Sequence, residues 1–151
     1  MNRHAVFLAL MAGLVAIAPL GGCARSALDT TGFAVVNNTT VDAPFEQTWQ
    51  ATKGVLREHE WDIYTRDKRG VFVAYSGKGR RALVLSKRTK HTITLDALSE
   101  RQTRVTVETV DQVYGTTLLT YPGWHDRKTR DDSKALDLLE WVKAATAAPA
   151  A

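Results

Sequence analysis

The chain has 151 residues, enough for one ordinary domain and too few for two. With 44% hydrophobic and 24% charged residues, and only four prolines and ten glycines, it is neither a disordered chain nor a collagen-like or linker protein. A single cysteine, Cys23, excludes an intramolecular disulfide framework and a multi-cysteine zinc site, while the net charge of +4 raises nucleic acid as a partner until the N-terminus is read.

Residues 1–4 are a short basic start, and residues 5–20 form an apolar run without a charge. This is the n-region and h-region of an export signal. Sixteen residues interrupted by Gly13 and Pro19 are short for a bilayer span of about 20. The run closes on Leu20-Gly21-Gly22-Cys23, which resembles the lipobox of bacterial lipoproteins: an aliphatic residue and two small ones before a cysteine. The resemblance implies cleavage before Cys23, a diacylglyceryl thioether on its sulfur and an acylated amine. Small residues admit the peptide to a protease cleft, and only a thiol makes the thioether. Several acyl chains hold firmly where one is marginal, at about 0.8 kcal/mol per buried CH₂.

Ala24, where an Asp would favour the inner membrane, resembles the pattern of lipoproteins sent to the Gram-negative outer membrane. The expected organisation is a signal over 1–22, a lipidated cysteine and tether over 23–32, one domain over 33–143 and a flexible tail over 144–151. The tether from Ala24 to Gly32 has nine residues and reaches at most about 30 Å, so the domain works close to the membrane, on its periplasmic face. Nucleic acid is not an expected partner there.

Phe33 to Val41 is rich in β-branched residues and predicts a strand; the two overlapping sequons at Asn37 and Asn38 read as solvated strand positions. Asp42, Pro44 and Glu46 carry a helix-start signature, with Asp42 the expected N-cap. Phe45, Trp49, Thr52, Val55 and Leu56 then fall on one helical stripe, which ends near His59. From Trp61 the period changes to two: Trp61, Ile63 and Thr65 alternate, residues 67–70 turn the chain, and Val71, Val73 and Tyr75 return. Gly77, Lys78 and Gly79 predict a second turn, leading to Leu83 and Leu85. Ile93 and Leu95 answer Val105 and Val107 across a third turn at residues 100–102.

Eighteen threonines suit a sheet with one solvated face. Val105, Val107 and Val113 mark one face of the clearest alternating stretch, and residues 117–121 extend it or form a further strand. Pro122-Gly123 breaks the chain before a last helix, capped within 129–132 and buried along Ala135, Leu138, Leu139 and Val142. The expected fold is a single α+β domain, an antiparallel β-meander packed by one N-terminal-half helix and one C-terminal helix, in the order β-α-β-β-β-β-β-α.

Residues 41–49, with Pro44, Glu46 and a Trp three residues after that Glu, resemble the opening of helix-grip folds. Trp61 to Ile63, the turn at 67–70 and residues 71–75 are similar to the matching stretch of BamC-like envelope lipoproteins. That resemblance implies a helix-grip domain and a role beside outer-membrane barrel assembly. Other helix-grip proteins hold a small apolar ligand or lipid between helix and sheet, which gives an alternative function.

No catalytic constellation stands out. His59, His91 and His125 lack metal-ligand spacing, no nucleophile or phosphate-loop motif is present, and no metal or cofactor is expected. Trp124, His125 and Asp126, read as part of a loop, form a candidate binding rim; a hydrolase built on His125 and Asp126 would need a nucleophile beside them. Residues 66–104 hold 11 basic side chains against three acidic ones. Of these, Arg66, Lys68, Arg69, Lys78, Arg80, Arg81, Lys87 and Arg88 form a candidate interaction patch for an anionic envelope surface or an acidic envelope protein. The expected function is therefore non-enzymatic: interaction or structural support by a lipid-anchored protein.

Overall fold

The computed structural model describes residues 29–79, 86–115 and 122–147. Within them the chain runs β1 (Val35–Val41), α1 (Phe45–Glu58), β2 (Asp62–Asp67), β3 (Val71–Gly79), β4 (Lys87–Ser99), β5 (Gln102–Gly115), β6 (Gly123–Arg127) and α2 (Ser133–Ala147). This is the expected α+β order. Leu20, Gly21, Gly22, Cys23, Arg80, Arg81, Leu83, Leu85 and residues 117–121 lie outside the described residues.

The strands form one antiparallel sheet in the spatial order β1-β5-β4-β3-β2, with β6 also on β5. β5 is 14 residues long and serves two partners along the edge away from β4. Its residues 103–109 pair with β1, and its residues 111–115 pair with β6. Thr129 closes the junction between these two short strands. Its amide donates to the Phe33 carbonyl at 2.9 Å. Its hydroxyl donates to the Thr109 carbonyl at 2.8 Å and accepts from the Asp111 amide at 3.2 Å.

Residues opposite one another in a ladder share a face. One face, carrying Val41, Phe72, Ala74, Ile93, Leu95, Val105 and Val107, is covered by both helices through Trp49, Val55, Leu56, Leu138, Leu139 and Val142. These side chains form one continuous buried cluster between helices and sheet. Burying each large apolar side chain stabilises by about 1.5–3 kcal/mol. Trp49, 4% exposed, also satisfies its indole by donating to the Asp67 carbonyl at 3.0 Å.

Local details depart from the sequence reading in five places. Asp42 does not cap α1. Pro44 holds the N-cap position without a side-chain bond, and Asp42 Oδ1 accepts from Gln102 Nε2 at 2.8 Å instead. On β3 the buried residues are Phe72, Ala74 and Ser76, not Val71, Val73 and Tyr75. Both parities of β3 carry apolar residues, so alternation alone does not say which one the helices cover. Gly77-Lys78-Gly79 is no hairpin turn: the strand continues to Gly79 across a register break after Ser76, with Gly77 at φ +71°. A glycine inside a strand marks such an irregularity. Residues 123–127 are a strand, because β5 beyond Thr109 has an edge to be paired. Finally, α2 runs through residues 144–147: Thr146 is buried, and its carbonyl accepts from Gln47 Nε2 of α1 at 3.1 Å.

Two turns depend on left-handed backbone. Gly70, at φ +105°, ends the β2–β3 turn, and a Cβ there would stand 2.6 Å from the Leu95 carbonyl oxygen. α1 ends in a Schellman motif: the Glu60 amide donates to the Arg57 carbonyl and the Trp61 amide to the Leu56 carbonyl. Glu60 takes the left-handed position at φ 55°.

Candidate functional site

Of the eight basic residues picked from the sequence, the six described ones do not form one patch. Arg66, Lys68 and Arg69 sit on β2 and the β2–β3 turn, whereas Lys87 and Arg88 open β4 at the other end of β3. β3 is nine residues long, and at about 3.3 Å per residue it sets the turn at residues 68–69 roughly 26 Å from Lys87, which pairs with Gly79. Lys78, next to Gly79 at the end of β3 that pairs with Lys87, falls by position with the second group. Arg69 is already engaged, bidentate on Asp67 with Nη2 at 2.7 Å from Oδ2.

Arg88 is engaged as well. It projects from the helix-free face, with its guanidinium 3.8 Å from the Tyr75 ring centre and 3.9 Å from that of Trp124. Its Nε donates to Gln112 Oε1 at 2.7 Å, and Gln112 Nε2 donates to Asp126 Oδ1 at 2.8 Å. Tyr64 meets Tyr75 edge-on, and Tyr114 meets Trp124 in the same way. An arginine clamped between two rings and a fixed amide is a rigid element, since planar guanidinium stacks well and loses little further freedom.

The candidate rim is split by strand alternation. Trp124 and Asp126 pair with Tyr114 and Gln112 on the helix-free face, while His125 pairs with Val113 on the other. His125 Nε2 is buried there without a hydrogen-bond partner among the described residues. His125 and Asp126 therefore do not form a dyad.

A third cluster went unnoticed in the sequence. His91, fully buried, sits between two hydroxyls, with Nε2 2.8 Å from Ser76 Oγ and Nδ1 3.1 Å from Thr109 Oγ1. Trp61 lies against the ring at 4.4 Å. Burial, and secondarily the Lys134 ammonium, push the imidazole down to about 4. Such a ring is a poor base at neutral pH, and its second nitrogen meets a hydroxyl rather than a carboxylate. The Ser76–His91–Thr109 chain satisfies polar groups inside the core.

The basic side chains that do converge come from elsewhere. Beside the junction of β1 and β6 along β5, a half-open cleft of about 660 Å³ is lined by Phe33, Lys87, Thr89, Arg127, Lys128 and Arg130, with Arg88 and Asp111 also on its wall. Lys87, Arg127, Lys128 and Arg130 are exposed. Asp111, the acidic residue on the wall, accepts from Thr89 Oγ1 at 3.0 Å. The Arg69–Asp67 ion pair is remote from this cleft. A second concavity, about 540 Å³ at the β2 edge, mixes Arg57 and Arg66 with Asp62. Arg127, Lys128 and Arg130 were visible as a run in the sequence, but the acidic residues around them cancel the run in any segment sum.

No protein-family profile and no curated protein matches the chain. Among the described residues no helix is long and apolar enough to cross a membrane, and no three His, Cys, Asp or Glu side chains stand together as a metal site.

Proposed function

We propose that the chain is a membrane-anchored bacterial envelope lipoprotein with a non-enzymatic interaction role, held by lipid on Cys23 at the periplasmic face of the outer membrane. The observation that carries this reading is Leu20-Gly21-Gly22-Cys23 at the end of the apolar run, with the sole cysteine at the position a thioether requires. The fold is compatible with it. β1 opens at Val35, twelve residues after Cys23, so the domain follows the anchor almost directly. The continuous buried apolar cluster between helices and sheet favours a surface role over the alternative of an apolar ligand held in a helix-grip chamber.

The test is the mass of the mature N-terminal peptide, together with detergent-phase partitioning of the wild type and of Cys23→Ser. The reading expects a peptide starting at Cys23 that carries acyl mass, and a wild type that partitions into detergent. A mature N-terminus elsewhere, or a Cys23 peptide of unmodified mass, would overturn it.

A further inference from the structure

We infer that the cleft between Phe33, Lys87 and residues 127–130 is a binding site for a phosphate group. Four cations converge on it from separate stretches of chain: Lys87 from the start of β4, Arg127 from the end of β6, and Lys128 and Arg130 from the segment leading to α2. Two guanidinium forks and two ammonium groups offer many donors from several directions. That suits a tetrahedral phosphate with three or four acceptor oxygens better than a planar carboxylate with two. The Thr89 hydroxyl is occupied by Asp111, which leaves the cations as the recognition elements. Like charges gathered in a concave wall repel one another, and an anion of charge −1 to −2 relieves that repulsion.

The wall is built on a fixed frame. Thr129, 5% exposed, sits between Lys128 and Arg130 and is bonded to both Phe33 and Thr109, so the cationic segment is tied to the sheet at its centre. Phe33, where the N-terminal segment enters the fold, lies on the same wall. The phosphate has two possible sources, an anionic lipid headgroup or a free phosphate ester. The lipid source rests on the anchoring reading above, which would hold the cleft within tether length of the headgroups.

The experiment uses the mature chain in neutral detergent micelles, with amide chemical shifts as the readout. Three titrants are compared: micelle-borne phosphatidylglycerol, glycerol phosphate, and micelle-borne phosphatidylcholine as the zwitterionic control. Saturable shifts at Lys87 and residues 127–130 are expected with phosphatidylglycerol. A response to glycerol phosphate of equal strength identifies free phosphate esters as the ligand, and its absence identifies the lipid. Arg127→Ala with Arg130→Ala is expected to weaken binding at least tenfold. Arg101→Ala with Lys143→Ala, which removes the same charge from exposed positions elsewhere, should change it less than twofold.

Absence of saturable shifts at these residues with either phosphate, or equal weakening by both double variants, overturns the proposal. The N-terminal mass of the same sample keeps the two readings apart. An unlipidated chain that binds phosphate removes the anchor and leaves the cleft; a lipidated chain that does not bind removes the cleft alone.

Discussion

The guanidinium of Arg88 lies 3.9 Å from the centre of the Trp124 ring, joining the first residues of β4 to β6 across β5 on the helix-free face. Tyr75 holds the other side of the same guanidinium, at 3.8 Å. A double-mutant cycle of Arg88→Ala and Trp124→Ala in urea should give a coupling of about 0.5–2 kcal/mol. Arg88→Lys should recover less than half of it, because an ammonium lacks the planar fork that stacks on two rings and bonds Gln112. Coupling indistinguishable from zero would mean that the stacked geometry contributes nothing to stability.

The buried His91 gives stability a pH dependence whose sign is fixed. Unfolded, the imidazole titrates near 6.5; folded, it titrates at about 4. Above pH 6.5 it is neutral in both states and imposes no penalty. As pH falls below 6.5 the unfolded chain takes up a proton that the folded chain refuses, so stability drops, and the loss is complete below about 4. A shift of this size corresponds to about 3 kcal/mol, as an order of magnitude. Urea midpoints measured from pH 7.5 to 4 should decline through this window and lose most of that decline in His91→Gln. Equal slopes in the two proteins would place the proton uptake on other groups.

Glu60 occupies a backbone conformation that glycine adopts without cost. Its φ of 55° is set by the Schellman bonds that end α1. Glu60→Gly should raise stability by about 0.5–1 kcal/mol, read as a higher melting temperature with unchanged far-UV circular dichroism. A lower melting temperature would show that the Glu60 side chain contributes more than its backbone strain costs.

Thr129→Val keeps the shape of the side chain and deletes its hydroxyl. The Asp111 amide then loses its acceptor and the Thr109 carbonyl loses a donor, at the point where the ladder passes from β1 to β6. A loss of about 1–3 kcal/mol is expected. Hydrogen exchange should quicken at residues 109–111 more than in the β3–β4 ladder. Uniform quickening across the sheet would mean that the junction is not a local fastening.

The fold was legible wherever one residue's own chemistry decided its place. Trp49, Leu56, Leu138 and Val142 lie on single-sided helical stripes, and all are buried. Val105 and Val107 alternate with polar neighbours, and both are fully buried. Legibility stopped where a partner distant in sequence decides. Residues 123–127 carry Pro-Gly at their start and read as a loop, yet the second half of β5 recruits them as a strand. Ser76 and Thr109 look like surface residues, and only His91 between them explains their burial.

The site followed the same rule. A run of basic residues along a hairpin looks continuous on paper, but the hairpin sends its two ends to opposite ends of the sheet. The cations that meet, Lys87 with Arg127, Lys128 and Arg130, are forty or more positions apart in the chain. Only the pairing of β6 with β5 brings them together.

The end-to-end meeting of β1 and β6 also fixes how the domain would respond to a pull. Force transmitted through the segment before Phe33 arrives first at the bond from the Thr129 amide to the Phe33 carbonyl. Behind it stand the seven paired positions of β1 on β5. Tension along the strand would load that ladder in shear, with its bonds sharing the strain. Tension directed away from the sheet would peel it from Val35 one pair at a time. The domain should therefore be mechanically tough in one direction and weak in the other, and the orientation of its first strand to the pulling surface would decide which is felt.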